Sequence, residues 1–184
     1  MNLPHHLTIK NSHLHLNGQD CVALAEKYGT PLYVTSEDRI VEQYQNYEKA
    51  LLARYPKVQV LFAAKANGNL AVIRALARVG AGADVFSSGE LHLALEAGMA
   101  PEKLLFNGSS KTPSDLQLAV SKGVKVSVDS LDELRQLDAV AKAAKKVVKI
   151  AFRVNPALEV PTHPKIATGL ATSKFGIPHN EISA

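Results

Sequence analysis

One lysine of this sequence stands where its amine could act as a nucleophile. Lys65 follows an apolar and β-branched run, residues 58–64, which predicts a lysine at the carboxyl end of a buried strand. Burial there would favour the uncharged amine, the form that attacks carbonyl groups and forms Schiff bases. The alternative is an ordinary lysine whose ammonium group reaches water. This segment alone leaves both interpretations open.

Polar side chains that could accompany Lys65 follow the later apolar runs. The candidates are Asp84 with Ser87, Ser88 and Glu90, the run 107–110, Asp129, and Arg153 with Asn155. In a βα barrel the functional groups gather at the carboxyl ends of the strands, so these side chains would face one another. A lysine, several acids and an arginine in one place are suited to binding an anionic cofactor and tuning an imine.

Three of these candidates raise a structural question. Glu90 lies three residues after Ser87, so a capping box at a helix start would explain its position without catalysis. Asp129 precedes the cap residue Ser130 and is interpreted as a turn residue. Arg153 lies within a mostly apolar strand, and we therefore expect it to have an anionic or aromatic partner.

Alternating strand and helix patterns would position these side chains. Strand-like runs occur at 58–64, 83–86, 104–106, 124–128 and 147–154, and helical patterns at 36–52, 70–79, 91–97, 113–122 and 134–144. This alternation is typical of parallel strands joined by crossover helices. It fits a (βα)8 barrel or an open doubly wound sheet, and the lack of a G-x-G-x-x-G run favours the barrel. We predict an α/β fold, an incomplete TIM-type barrel of about five strands over residues 28–184.

Residues 1–27 are predicted to form a separate β segment. Alternating patterns at 7–10 and 13–16, followed by the turn residues Asn17 and Gly18, indicate short strands. His13 and His15 would share one face of a strand, with two more histidines upstream. The sequence places no third ligand beside them, so we expect a polar strand face and no metal site.

Composition and charge exclude several classes of protein. Cys21 is the only cysteine, which excludes an intrachain disulfide and a cysteine-based zinc cluster. No segment approaches the ~18 consecutive apolar residues of a membrane span, and the start lacks an apolar signal region, so a cytoplasmic protein without a membrane partner is expected. The net charge is +4, but the basic residues are dispersed along the chain, so no nucleic-acid partner is expected.

Three motifs, in order along the chain, resemble one known family. Residues 62–67, FAAKAN, resemble the F/Y-A-x-K-A-N lysine motif of the fold-type III pyridoxal-phosphate decarboxylases, and residues 82–90, GADVFSSGE, resemble the second-strand signature of that family. Residues 162–169, THPKIATG, and 173–177, SKFGI, resemble its diaminopimelate decarboxylase branch. The resemblance extends from about residue 28 to the end.

This resemblance implies a cofactor, a reaction and a set of roles. Pyridoxal 5'-phosphate would be bound covalently by Lys65 as the catalytic residue, and Asp84, Glu90 and Arg153 would line the cofactor pocket. The implied reaction is decarboxylation of meso-2,6-diaminopimelate, a small diamino acid, to L-lysine, in a full-length protein that forms a homodimer.

Several alternatives stay open beside this reaction. The first is decarboxylation of ornithine, arginine or carboxynorspermidine. The second is a racemase-like or non-catalytic carrier of the same cofactor. The third is a cofactor-free βα protein that binds a partner or phosphate, in which Lys65 is an ordinary surface lysine.

The sequence departs from the family in its later part. Members of the family continue after the fifth strand with a ring-stacking histidine, a glycine-rich phosphate loop, an acid that pairs with the pyridine nitrogen, and a C-terminal β domain that carries a catalytic cysteine. This sequence holds none of these, and Cys21 does not occupy the position of that cysteine. We therefore expect a truncated portion with an exposed apolar sheet edge, which alone binds the cofactor weakly and does not turn over.

Overall fold

A small antiparallel sheet forms the amino-terminal part of the computed structural model, which describes residues 3–159, 161–163 and 167–182. Its strands are β1 (Leu7–Lys10), β2 (His13–Leu16) and β3 (Gln19–Asp20). Helix α1 (Cys21–Tyr28) follows directly, and the Asp20 carboxylate accepts a hydrogen bond from the backbone N–H of Val22 at 2.8 Å. The predicted strands are present, whereas the last residues of the predicted β segment are helical. A domain boundary near residue 28 stays a prediction.

A five-stranded parallel sheet forms the larger part. Its strands are β4 (Leu61–Ala63), β5 (Gly82–Val85), β6 (Leu104–Phe106), β7 (Lys125–Val128) and β8 (Ile150–Phe152), hydrogen-bonded in this order. Helix α2 (Glu37–Leu52) precedes the sheet, and successive strands are joined by α3 (Leu70–Arg78), α4 (Ser88–Glu96), α5 (Pro113–Lys122) and α6 (Leu131–Ala143). Beyond β8, the short strands β9 (Val154–Asn155) and β10 (Ile177–Pro178) pair in parallel.

The order of the strands distinguishes the two folds that the sequence left open. A doubly wound sheet reverses its strand order at a switch point, so its first strands do not lie in sequence order across the sheet. Here each strand from β4 to β8 pairs with the next one along the chain. The incomplete (βα) barrel that the sequence predicts is therefore confirmed. Among the helices of the described residues, none has the length and apolar character to cross a membrane.

Serine caps fix the starts of two helices. The Ser87 hydroxyl accepts a hydrogen bond from the Glu90 backbone N–H, and the Ser130 hydroxyl accepts one from the Glu133 backbone N–H. In a capping box the glutamate would accept a bond from the backbone N–H of the serine itself. Here both glutamates instead accept from the residue before the serine. Both helix starts thus have only the serine half of a capping box, and each glutamate is tied to the residue that follows the preceding strand.

Alternation along the strands separates a buried face from a second face. The residues that pack with the helices in one core are Ala83, Val85, Leu104, Phe106, Val126 and Val128, all of them buried. Asp84 and Ser127 lie between them in sequence and therefore point to the opposite face, which in a barrel is the interior. At Gly82 a Cβ would lie 2.1 Å from the Lys103 backbone oxygen, so the close approach of β5 to its neighbour requires glycine.

Strand β8 forms one edge of the sheet and exposes apolar side chains. Ile150 and Phe152 are 39% and 45% exposed, although their partners in register, Val126 and Val128, are fully buried. The exposed apolar edge expected from the sequence is therefore present at β8.

Candidate active site

The four residues predicted for the site lie around the carboxyl ends of the parallel strands. Lys65 follows β4, Asp84 lies near the end of β5, and Arg153 lies between β8 and β9. Glu90 is in the first turn of α4. The charges of all three other residues shift the pKa of Asp84: Lys65 and Arg153 lower it, and Glu90 raises it. The fold therefore brings the four residues together, with Asp84 as their common neighbour.

Lys65 is exposed, as in the second of the two interpretations that the sequence left open. The strand ends at Ala63, and Lys65 lies in the 3₁₀ turn Ala64–Ala66, in which Ala64 is the buried residue. Its Nζ lies 4.2 Å from the centre of the Phe86 ring, a cation–π contact. Because β4 ends before the apolar run does, the lysine lies outside the strand and its side chain reaches the surface. The amine is accessible to a molecule bound at this edge of the sheet.

Asp84 carries a partly buried carboxyl group that is incompletely paired. Its Oδ1 is buried and has no hydrogen-bond partner among the residues that the structure describes. Burial raises the pKa of Asp84 above its ordinary value of 3.8, outweighing the Asn107 side chain and the positive charges of Lys65 and Arg153, which lower it. A buried oxygen without a partner costs free energy, and a ligand that donates a hydrogen bond relieves this cost. This oxygen marks a place for a polar group of a ligand.

Arg153 has both kinds of partner that its apolar strand predicts. Its Nη1 lies 3.3 Å from Asp129 Oδ1, and its Cζ lies 4.5 Å from the centre of the Phe175 ring. The Arg153 side chain is 25% exposed and the Asp129 side chain only 6%. Asp129 lies in the turn between β7 and α6, as interpreted from the sequence, and its carboxylate is in addition buried against the arginine. Arg153 is therefore held from two sides.

The segment after β9 folds back onto the site. The Asn155 side chain donates a hydrogen bond to the Leu170 backbone oxygen at 2.9 Å, and the Ile177 backbone N–H donates to the Arg153 oxygen at 2.7 Å. Gly176 has φ +78°, and a Cβ there would lie 2.8 Å from that same Arg153 oxygen. The return of the chain at this point requires glycine. Residues 164–166 of the diaminopimelate decarboxylase-like motif lie outside the described residues.

Glu90 has a structural contact as well as a place in the site. Its Oε2 accepts a hydrogen bond from the Phe86 backbone N–H at 2.9 Å. The Phe86 ring in turn contacts the Lys65 ammonium group. Glu90 therefore helps to fix Phe86, whose ring contacts Lys65. The negative charge of Glu90 also helps to raise the pKa of Asp84.

Sequence reasoning missed Lys111, whose side chain is 0% exposed. Its Nζ lies 2.9 Å from Glu133 Oε1. Lysine is rarely buried unless it is paired, and nothing in the loop between β6 and α5 distinguishes this lysine from one exposed to water. The only signal was Glu133, a carboxylate whose capping role did not require a cation.

Comparison with known proteins identifies the family of this chain. The sequence model of a family described as "Pyridoxal-dependent decarboxylase, pyridoxal binding domain" matches residues 37–184. A diaminopimelate decarboxylase of Archaeoglobus fulgidus is 48% identical over 169 residues, which are 92% of this chain and 39% of that protein. One of Pseudomonas aeruginosa is 43% identical over 176 residues, 95% of this chain and 42% of that protein.

A solved structure agrees with the sequence relatives. The crystal structure of diaminopimelate decarboxylase from M. jannaschii in complex with L-lysine has a TM-score of 0.87 at 38% identity, over 96% of this chain and 42% of that one. The chain thus spans about two fifths of the length of the relatives that it matches.

The geometry described above fits the cofactor that the family binds. Lys65 offers an accessible amine, and the neighbouring Asp84 has a buried oxygen without a partner among the described residues. With residues 37–184 matched to the pyridoxal-binding domain, the chain belongs to the pyridoxal-dependent decarboxylase family.

Proposed function

We propose that this chain supplies the cofactor-binding barrel portion of a decarboxylase that converts meso-2,6-diaminopimelate to L-lysine. Three relatives named diaminopimelate decarboxylase, 48%, 42% and 40% identical to the chain, support this reaction. L-lysine is also the ligand in the solved M. jannaschii relative. The observation that carries the proposal is the accessible Lys65 amine beside the incompletely paired Asp84 carboxyl group.

The roles that we propose follow from the contacts of each residue. Pyridoxal phosphate would supply an electron sink for the bond to the substrate carboxylate. Lys65 supplies the amine that holds the cofactor. Asp84, Glu90 and Arg153 bind and orient it, and the Asp84 Oδ1, which has no partner among the described residues, accepts a hydrogen bond from the ligand.

The substrate in this proposal is a small diamino acid, and the complete protein is a cytoplasmic homodimer. Diaminopimelate is preferred to ornithine, arginine and carboxynorspermidine because residues 162–169 and 173–177 resemble the diaminopimelate branch. The same preference is supported by the names of the relatives at 40–48% identity.

Reductive trapping tests the assignment of Lys65. Pyridoxal phosphate is added to the complete protein that carries this chain, borohydride is added, and the labelled peptide is mapped. We expect the label on the peptide that contains Lys65 and its loss in Lys65→Ala. The matched control is Lys122→Ala. Lys122 lies in the last turn of α5, away from the carboxyl ends of the strands, so its removal should leave the label in place.

The outcomes of this experiment separate the alternatives. A label on a peptide without Lys65 contradicts the proposed lysine, and the absence of any label favours a cofactor-free protein. Carbon dioxide release is then measured with diaminopimelate, ornithine, arginine and carboxynorspermidine. Release from diaminopimelate alone supports the proposed reaction, whereas a preference for another substrate assigns the chain to another decarboxylase.

A further inference from the structure

The buried ammonium group of Lys111 uses all three of its hydrogen-bond donors. Nζ lies 2.9 Å from Glu133 Oε1, donates to the Ser127 backbone oxygen at 2.9 Å, and donates to the Gly108 backbone oxygen. The side chain is 0% exposed, and that of Glu133 is 8% exposed. An ammonium group has three N–H bonds, so its hydrogen-bonding capacity is filled at this site. Lys111 therefore offers nothing to a ligand directly.

The three acceptors come from three separate segments. Gly108 lies in the loop after β6, Ser127 lies in β7, and Glu133 lies in the first turn of α6. Their attachment to one ammonium group fixes the loop after β6 relative to the next βα unit. A buried and fully paired cluster of this kind holds its segments in a single arrangement.

Two paths lead from this cluster to the proposed cofactor site. On one side, Gly108 follows Asn107, whose side chain acts on the Asp84 carboxyl group. On the other side, Glu133 Oε1 also accepts a hydrogen bond from the Asp129 backbone N–H at 3.4 Å. The Asp129 carboxylate holds Arg153. Lys111 is thus connected both to the neighbour of Asp84 and to the partner of Arg153.

We propose that Lys111 is a positioning residue for the cofactor site, acting through Asn107 on Asp84 and through Glu133 and Asp129 on Arg153. This inference rests on the proposed function, because that function assigns Asp84 and Arg153 to one cofactor. Lys111 touches neither cofactor nor substrate. Its effect is to keep Asp84 and Arg153 at a fixed separation.

A purely structural ion pair is the competing explanation, and a double variant separates the two. Lys111→Met alone leaves Glu133 buried without its cation, which destabilises the fold. Combining Lys111→Met with Glu133→Leu replaces the pair by apolar side chains, an exchange that often leaves stability unchanged or raises it. The double variant thus restores packing without restoring the bonds to Gly108, Ser127 and Asp129.

The first measurement is the affinity of the complete protein for pyridoxal phosphate, together with its unfolding midpoint in urea. We expect the double variant to regain most of the midpoint that Lys111→Met loses, although the Gly108 and Ser127 oxygens and the Asp129 N–H still lack their partners, and to bind the cofactor about tenfold more weakly than wild type. The matched control is Lys142→Met, which breaks the exposed pair with Asp138 and should change neither quantity. Wild-type affinity in the double variant would overturn the positioning role.

The second measurement uses the cofactor-free protein and so does not depend on the proposed function. The Asn107 backbone N–H bonds to the Val85 oxygen, and the Arg153 N–H bonds to the Val128 oxygen. We expect both amides to exchange with deuterium about tenfold faster in the double variant, while the Leu91 amide of α4 is unchanged. Unchanged exchange at Asn107 and Arg153 overturns this inference, whereas a wild-type protein that binds no pyridoxal phosphate overturns only the proposed function.

Discussion

Two βα units of this protein begin their helices with the same pattern but differ in how their acids are paired. We call them the β5 unit, residues 82–96, and the β7 unit, residues 125–143. Each has a Ser-x-x-Glu sequence, a serine cap, and a glutamate that accepts a hydrogen bond from the residue before the serine. At the level of the backbone the two helix starts are therefore equivalent.

The difference lies in the partners of the carboxylates. In the β7 unit, Glu133 is paired with Lys111 and Asp129 with Arg153. In the β5 unit, Asp84 Oδ1 is buried without a partner among the described residues. The same local pattern thus occurs in one unit whose Glu133 and Asp129 are paired with basic side chains, and in another unit whose Asp84 has an oxygen without a partner among the described residues. An incompletely paired buried acid is more informative about a ligand site than the motif that surrounds it.

The strongest way to break this comparison is to truncate the two matched glutamates. Glu133→Ala leaves the Lys111 ammonium buried without its anion, and we expect a loss of about 3–5 kcal/mol in the free energy of unfolding. Glu90→Ala removes one hydrogen bond to a backbone N–H, for which about 1–2 kcal/mol is expected. Urea unfolding of both variants gives the two values. Equal losses would contradict the difference between the units.

Exchanging each aspartate for asparagine should give effects of opposite sign. Asp129→Asn removes the negative charge that holds the partly buried Arg153, and we expect a loss of about 1–3 kcal/mol. Asp84→Asn removes a charge that burial disfavours, so the cofactor-free protein should become slightly more stable while its affinity for pyridoxal phosphate falls. Thermal unfolding and cofactor titration are the measurements. Destabilisation of the cofactor-free protein by Asp84→Asn would show that Asp84 is satisfied within the protein.

The serine caps should behave alike, which sharpens the comparison. Ser87→Ala and Ser130→Ala each remove a side-chain acceptor from a first-turn N–H, at about 1 kcal/mol each. Urea unfolding should give the same value for both within about 0.5 kcal/mol. A large difference between them would indicate that the two helix starts are not equivalent.

The smallest expected effect is a dependence of stability on pH. The folded-state pKa of Asp84 lies above its ordinary value of 3.8, so the folded protein holds this proton more tightly than the unfolded chain does. The stabilising contribution of Asp84 to the free energy of unfolding is therefore fully present below pH 3.8 and is lost as the pH rises through the folded-state pKa. Glu133, whose pKa burial also raises, acts in the same direction. The difference in unfolding free energy between wild type and Asp84→Asn isolates Asp84, and a difference independent of pH would contradict the raised pKa.

Local patterns were sufficient to predict most of the fold. The strand runs, the Ser87 and Ser130 caps and the order of the units followed from periodicity and capping, which depend on neighbouring residues only. Helix α1 was missed although Asp20, which caps it, is a start signal readable in the sequence.

The candidate site was predicted less completely, because its pairings join distant segments. Lys65, Asp84, Glu90 and Arg153 were found from their places after strands, but the exposure of Lys65 depends on where β4 ends. The burial of Lys111 depends on acceptors 3, 16 and 22 residues away, which no local pattern reports. Contacts of this kind become visible only when the strands are placed side by side.

The sequential strand order of the sheet has a consequence for synthesis of the protein. Neighbouring strands begin at residues 61, 82, 104, 125 and 150, so each finds its partner in the segment that has just left the ribosome. The sheet is able to grow by one βα unit at a time, without waiting for distant parts of the chain. At each step the newest strand forms an exposed apolar edge of the growing sheet. In this structure β8 is such an edge, because Ile150 and Phe152 are exposed. Such an edge is prone to aggregation until the next strand pairs with it, and its position moves along the sheet as translation proceeds.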